Sequence, residues 1–192
     1  MANKFRESQP QRTCAKNYKG YRSFKPHLAS DFNYRCGYTD CSDFWFGGQD
    51  CFHIDHFIPW KNYPAQPNLK TDYSNLVYSC SYVNILKSND EGDYIDPCTV
   101  DYNLHFTRDN NGNIQPIPGS APAKHMYKKL KLYMSRYQII WMLDRLLTTM
   151  DKLKELIDTT PDLEDKNDHL IIQGELANYL LGYINSLKKK AV

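Results

Sequence analysis

The run Cys51-Phe-His-Ile-Asp-His-Phe-Ile-Pro59 is short, largely apolar and closed by a proline. Proline cannot donate to a sheet ladder, so the run reads as one strand that stops at Pro59. The following Lys61 to Ser74 holds Pro64, Pro67 and several polar residues, which predicts a loop. Ser74 would serve as a helix N-cap, but Leu76-Val-Tyr78 fits a second short strand better. A helix is expected from near Ser81, carrying Asn84 and Lys87 about one turn apart on one side. This order of strand, loop, strand and helix lies in a stretch rich in Gly, Pro, Asn, Asp and aromatics. It restricts residues 31–120 to a small, irregular α+β unit held by turns. Further on, Asn103-Leu-His-Phe-Thr-Arg and Asn113-Ile-Gln-Pro-Ile flank Asp109-Asn-Asn-Gly112, a hairpin signal.

Residues 121–192 have a different period. Ile139, Leu143, Leu146, Met150, Leu153 and Ile157 recur at shifts of four and three, then Thr159-Thr-Pro161 breaks the pattern. Leu176, Leu180, Tyr183 and Leu187 resume it. Two helices joined by a short break predict a C-terminal antiparallel hairpin. Lys188 to Lys190 stand where a helix C-terminus favours positive charge. A hairpin by itself leaves part of each apolar face uncovered, so it either docks within the chain or meets another subunit, by self-association or with a partner.

Residues 1–30 form a basic segment. Lys4, Arg6, Arg12, Lys16, Lys19, Arg22, Lys25 and Arg35 stand against only Glu7 and Asp31 in this part of the chain, with Tyr18, Tyr21 and Phe24 among them. The net charge of +2 over 192 residues says little, but this distribution suits an arm that contacts phosphates, with Lys16, Lys19, Arg22 and Lys25 as candidates. The plainer reading is a basic terminus without a specific partner. With 41% apolar residues the chain can build a core, yet no apolar run approaches the length of a bilayer span. The first residues do not resemble a signal peptide, so a cytoplasmic protein is expected. The cysteines Cys14, Cys36, Cys41, Cys51, Cys80 and Cys98 are then expected to be metal ligands or buried thiols rather than a disulfide framework.

A histidine on an apolar strand is most often a packed, hydrogen-bonded residue. The joint pattern Asp55-His56-x-x-Pro59, Asn75-Leu76, Cys80 and Asn84-x-x-Lys87 is more specific, and it resembles the motif of HNH nucleases. The likeness continues through Ile95-Asp-Pro97, Asp101-Tyr-Asn-Leu-His-Phe106 and Met126-Tyr-Lys-Lys-Leu-Lys-Leu132. These segments look like HNH proteins encoded beside ATPases in bacterial anti-phage systems. The resemblance implies a ββα-metal core and cleavage of DNA phosphodiesters. It makes His56 the general base, with an ordinary pKa near neutrality. It gives Asp55 and Asn84 to a catalytic divalent ion, Mg²⁺ or Mn²⁺, with water and phosphate completing the shell. Asn75 would hold the loop and orient His56, and Lys87 would meet either the scissile phosphate or the site's carboxylate. Strand alternation places His53 and Asp55 on one face, with Ile54 and His56 on the other. An ATPase or sensor partner, docked on the helical tail, is also implied.

Many HNH proteins carry two cysteine pairs around a structural zinc. Cys36 and Cys41 form a wide pair, Cys80 matches the first cysteine of a second, and Val83 occupies the place of its partner. Three thiolates do not close a tetrahedral Zn²⁺ site. Cys51, His53 or Cys98 would supply the fourth ligand, or the cysteines are simply packed as small apolar residues. Two other readings stay open beside the enzyme: a non-catalytic nucleic-acid-binding module that keeps the motif as a scaffold, and a zinc-stabilised interaction module.

Overall fold

The computed structural model describes residues 3–190, without the side chains of Leu163, Lys189 and Lys190. The expected placement of those two lysine side chains at the helix terminus therefore lies outside the described residues. The class is α+β. The chain divides into two compact units, the first ending at Met134 and the second beginning at Ser135.

Strand β1 (Asn3–Lys4) opens the first unit, followed by helix α1 (Lys25–Asp31), which has Pro26 in its first turn, where no amide is needed. Strands β2 (Phe52–His56) and β3 (Leu76–Cys80) pair antiparallel, with Asp55 opposite Val77 and His56 opposite Leu76. Helix α2 (Ser81–Lys87) follows β3 directly. Strands β4 (Phe106–Arg108) and β5 (Ile114–Pro116) form the expected hairpin. Its turn is closed by Asp109 Oδ1, which accepts from the amides of Asn111 and Asn113, and Gly112 takes the left-handed φ of +84° that a β-carbon would resist. Helix α3 (Ala121–Lys129) is capped by Ser120, whose hydroxyl accepts from Ala123 N.

The basic segment is an integral part of this unit. Strand β1 pairs with β4, Asn3 opposite Arg108 and Lys4 opposite Thr107. Phe5 is buried against the rings of Tyr102 and Phe106, each 5.5 Å away between centroids. Arg12 Nη1 meets Asp96 Oδ2 at 2.9 Å and its Nε donates to Leu76 O at 2.8 Å. Asp31 accepts from Thr13 N, Thr13 Oγ1 and Tyr73 Oη, which ties the arm and α1 to the loop before β3. The aromatic side chains interleaved with the arm's charges are thus largely anchors. Phe24 is buried, with its ring 4.9 Å from Tyr18 and from Tyr73.

The second unit is a pair of helices that pack together, α4 (Ser135–Thr159) and α5 (Leu163–Lys190), with the break at Thr160-Pro-Asp162. Every residue of the expected seam is buried or half-buried, from Ile139 through Ile157 and from Leu176 through Leu187. Leu156, Leu170, Ile171, Ile172, Tyr179 and Leu181 stay exposed. Among the described residues no helix is long and apolar enough to cross a membrane.

Candidate active site

Strand β2 carries Asp55 and His56 in succession, and the pleat sends them different ways. Asp55 is only 3% exposed, while His56 is half-buried. Both line a cleft of about 380 Å³, together with Tyr21, Ile54, Pro59, Trp60, Lys61, Asn84, Ile85, Ser88 and Asn89. The fold therefore brings Asp55, His56 and Asn84 to one place, from a strand and from the helix that follows its partner strand.

His56 is held on several sides. Its Nε2 lies 3.0 Å from the carbonyl oxygen of Lys70. A carbonyl can only accept, so the neutral ring carries its proton on Nε2 and keeps the lone pair on Nδ1. Tyr21 meets the imidazole edge-on at 4.9 Å between centroids, and Trp60 stands at 6.3 Å. Burial lowers the His56 pKa below the ordinary 6.5, opposed by the Lys70 carbonyl and aided by the charges of Lys87 and Lys70. The neutral, proton-accepting form thus persists to lower pH than in a free histidine.

Asn75 sits just before β3, buried, and fastens the loop that follows His56. Its Oδ1 accepts from Ile58 N at 2.8 Å, and its Nδ2 donates to Ile58 O and Leu69 O, both at 2.9 Å. Its own carbonyl accepts from Phe57 N at 2.8 Å. One short side chain thus ties both ends of the loop, and Lys70, whose carbonyl meets His56, follows Leu69 directly. Loop position and ring position are coupled through it.

Lys87 is fully buried, so it does not reach solvent or a substrate lying there. Its ammonium lies 3.1 Å from Asp55 Oδ2 and 3.5 Å from Oδ1, and donates to the carbonyls of His56 at 2.9 Å and Phe57 at 3.0 Å. Of the two positions open to it, phosphate or carboxylate, it stands at the carboxylate. Tyr38 supplies a further donor, with its hydroxyl 2.6 Å from Asp55 Oδ2. Burial pushes the Asp55 carboxyl up, against the pull of Lys87 and Tyr38. Burial and the neighbouring carboxylate hold the Tyr38 phenol well above its ordinary range, so its hydroxyl remains a donor.

Asn84 is half-buried, and its Nδ2 lies 3.2 Å from Nδ1 of the exposed His53. With the nitrogen end of the amide engaged there, Oδ1 is the end left to an ion. One buried carboxylate and one amide oxygen on a shared cleft fit a hard divalent cation that keeps most of its water. The cysteines do not fit a closed tetrahedral site. Cys36, Cys41 and Cys80 are all buried, and the surroundings of Cys36 are hydrogen bonds: Cys80 N lies 3.4 Å from its sulfur and Ser79 Oγ 3.9 Å. Burial opposes ionisation of Cys36, yet hydrogen bonds from Cys80 and Thr39 bring its thiol down to about 6. Burial pushes Cys41 up to about 12. Of the three fourth-ligand candidates, Cys51 and His53 are exposed, and Cys98 has Arg12 and Asp96 among its charged neighbours. Among the described residues no group of three or more His, Cys, Asp or Glu side chains could hold a metal ion.

Of the basic residues, Lys16, Lys19 and Arg22 are exposed, and Lys25 is half-buried with its ammonium on Asp50 O at 3.1 Å. Tyr21, the neighbour of Arg22 in the chain, is the residue of this segment that lines the cleft.

Residues 35–90 match the HNH endonuclease family. The matched segment begins just before Cys36 and ends just after Lys87, so it contains every motif residue placed above. A match to the HNH endonuclease family points to nuclease activity. No curated protein and no solved structure matches the chain. The sequence did not single out Tyr38 or Trp60, and it offered Tyr21 only as an aromatic among the basic residues of the arm. Tyr38 lies between two cysteines that drew attention to metal binding. Only the fold sets Tyr21 and Trp60 beside His56.

Proposed function

We propose that the protein is a divalent-metal-dependent HNH endonuclease that hydrolyses DNA phosphodiester bonds. The observation that carries this reading is the setting of His56. Its Nε2 is engaged by a backbone carbonyl, its Nδ1 is left with a lone pair, and it shares a cleft with Asp55 and Asn84.

In this reading His56 Nδ1 takes a proton from a water molecule as that water attacks phosphorus and the bond to the leaving oxygen breaks. A divalent ion held by Asp55 and Asn84, Mg²⁺ or Mn²⁺, would take up charge on the phosphate and the leaving oxygen. Asn75 keeps the loop and the imidazole in register, and Lys87 keeps Asp55 ionised and in place. Exposed Lys16, Lys19 and Arg22 supply phosphate contacts that position DNA without reading its sequence. Lys25 would join them on release from Asp50. In this reading β2, β3 and α2 serve as a ββα-metal core. A structural zinc is not part of the proposal, since among the described residues no group of three or more His, Cys, Asp or Glu side chains could hold a metal ion.

The test is plasmid cleavage by the wild type and by His56→Ala, with Mg²⁺, with Mn²⁺ and with EDTA. Metal-dependent cutting by the wild type that is lost in the variant supports the reading. Equal activity of the two proteins sinks the role of His56.

The reading extends to the cell. The likeness of Ile95-Asp-Pro97 and the following segments to nucleases paired with ATPases supports a cytoplasmic effector in anti-phage defence, gated by an ATPase partner that docks on the helical tail. A free, low-specificity nuclease would damage its own cell. Co-purification with a neighbouring ATPase is the expected result, and full unregulated activity of the isolated chain would count against gating.

A further inference from the structure

The loop Cys36–Cys41 is held more firmly than a solvent-facing turn requires. Gly37 leaves no room for a side chain: a β-carbon there would stand 2.7 Å from Val77 Cγ1 and 2.8 Å from the Phe32 ring. Its amide donates to Tyr78 O at 2.8 Å, which lays the loop against β3. The two carbonyls that flank Tyr38 each accept from a buried arginine. Arg6 Nη2 donates to Gly37 O at 2.6 Å, and Arg108 Nη2 donates to Thr39 O at 2.7 Å. Arg6 and Arg108 are far apart in the sequence and are both buried. Burying two guanidinium groups is costly, so their convergence on one short loop points to a residue whose position matters.

That residue is Tyr38. It is fully buried, and its hydroxyl ends on Asp55 Oδ2. Lys87 also lies nearer Oδ2, at 3.1 Å, than Oδ1, at 3.5 Å. Both side-chain donors therefore lie nearer the same oxygen, and the backbone amide of His56 is a further donor to the carboxylate. We propose that Tyr38 is a positioning residue for Asp55: by donating to Oδ2 beside Lys87, it fixes the carboxylate and leaves Oδ1 as the oxygen offered to a divalent cation. The inference rests on the nuclease reading above. It gives the Cys36–Cys41 loop a task in the active site that does not depend on a bound metal at its thiols.

The test is Mn²⁺ binding to the full chain, followed by the electron paramagnetic resonance of free Mn²⁺, in the wild type, Tyr38→Phe, Asp55→Asn and the double variant. Tyr38→Phe keeps the ring and removes only the hydroxyl. Outer-shell partners of metal ligands contribute about 10-fold or more to affinity, so a loss of about 10-fold is expected in Tyr38→Phe. Adding Tyr38→Phe to Asp55→Asn is expected to change nothing further, because Tyr38 acts through that carboxylate. Affinity within about twofold of the wild type in a folded Tyr38→Phe overturns the proposal, as does an undiminished effect in the Asp55→Asn background. Absence of Mn²⁺ binding by the wild type overturns it as well. If Tyr38→Phe fails to fold, 3-fluorotyrosine at position 38 keeps the shape and strengthens the donor. It must then shift Mn²⁺ affinity with the melting temperature unchanged, and an unchanged affinity overturns the proposal. Plasmid cleavage in the same preparations separates the two claims. A wild type that cuts only with metal, beside a Tyr38→Phe that binds Mn²⁺ normally, removes Tyr38 and leaves the nuclease standing.

Discussion

Lys87 is the residue on which the centre of the first unit turns. It has no exposed surface, and its ammonium is shared among Asp55 and the carbonyls of His56 and Phe57. A buried ion pair adds little net stability when both partners are present, but removing one partner strands the other. Lys87→Met keeps the volume and removes the charge. The expected cost is about 3–5 kcal/mol in a denaturant titration, because Asp55 is left buried without its counter-charge. A loss below about 1 kcal/mol would mean that Asp55 is neutral without its partner. The motif spacing in the sequence put Lys87 on the same side of a helix as Asn84, and the fold agrees as to the helix. Spacing could not decide between a phosphate and a carboxylate. That depends on burial, and the ammonium is closed in by β2, the carbonyl of Phe57 and the Tyr94 ring, 5.3 Å away.

At the scale of elements, the loop between β2 and β3 belongs to the site as much as the strands do. Proline and polar composition made it legible as a loop. That Lys70 O would face His56 was not legible, because a carbonyl leaves no mark in a sequence. Asn75 fixes this arrangement. Asn75→Ala leaves Ile58 N, Ile58 O and Leu69 O without their side-chain partner. Unmade hydrogen bonds of buried groups cost about 1–3 kcal/mol each, and the part-exposed ones here recover some of that from water. The expected outcome is lost cleavage with DNA binding retained in a filter or gel assay. Cleavage at the wild-type rate would show that the loop holds His56 without Asn75.

The arm before α1 reads from composition as a basic segment, yet Asp31 binds it through Thr13. Burial opposes the charge on Asp31, and hydrogen bonds from Thr13, Tyr73 and Cys14 outweigh it, so the carboxyl titrates below the ordinary 3.8. A carboxyl lowered in the folded state adds stability that is fully present above its unfolded pKa and lost as pH falls through the folded one. The melting-temperature gap between the wild type and Asp31→Ala is therefore expected to be constant above about pH 5 and to close as acid protonates Asp31. A gap that persists unchanged at the acid end would assign the loss to packing instead.

On the scale of the whole molecule, the parts hidden from the sequence are those built by distant pairings. Strand β1 joins β4, Phe5 packs on Tyr102 and Phe106, and Arg6 and Arg108 converge on one loop. No local pattern announces such contacts, whereas the seam of the helical unit is local and was legible in its period. The same closure sorts the basic arm. Arg6 and Arg12 turn inward to hold the fold, while Lys16, Lys19 and Arg22 remain at the surface. Net charge, being close to zero, would not have separated these roles. Phosphate contacts release counterions from DNA, and each contact adds roughly 0.9 to the salt slope of the binding constant. Replacing Lys16, Lys19 and Arg22 by alanine should therefore flatten the plot of log K against log salt by about 2 to 3, equally for unrelated DNA sequences. Melting temperature should stay near that of the wild type, since the exposed ends of these side chains make no contact that the fold requires. An unchanged slope would place the DNA on another face of the first unit. A slope that flattens for one sequence only would mean that the arm reads bases rather than backbone.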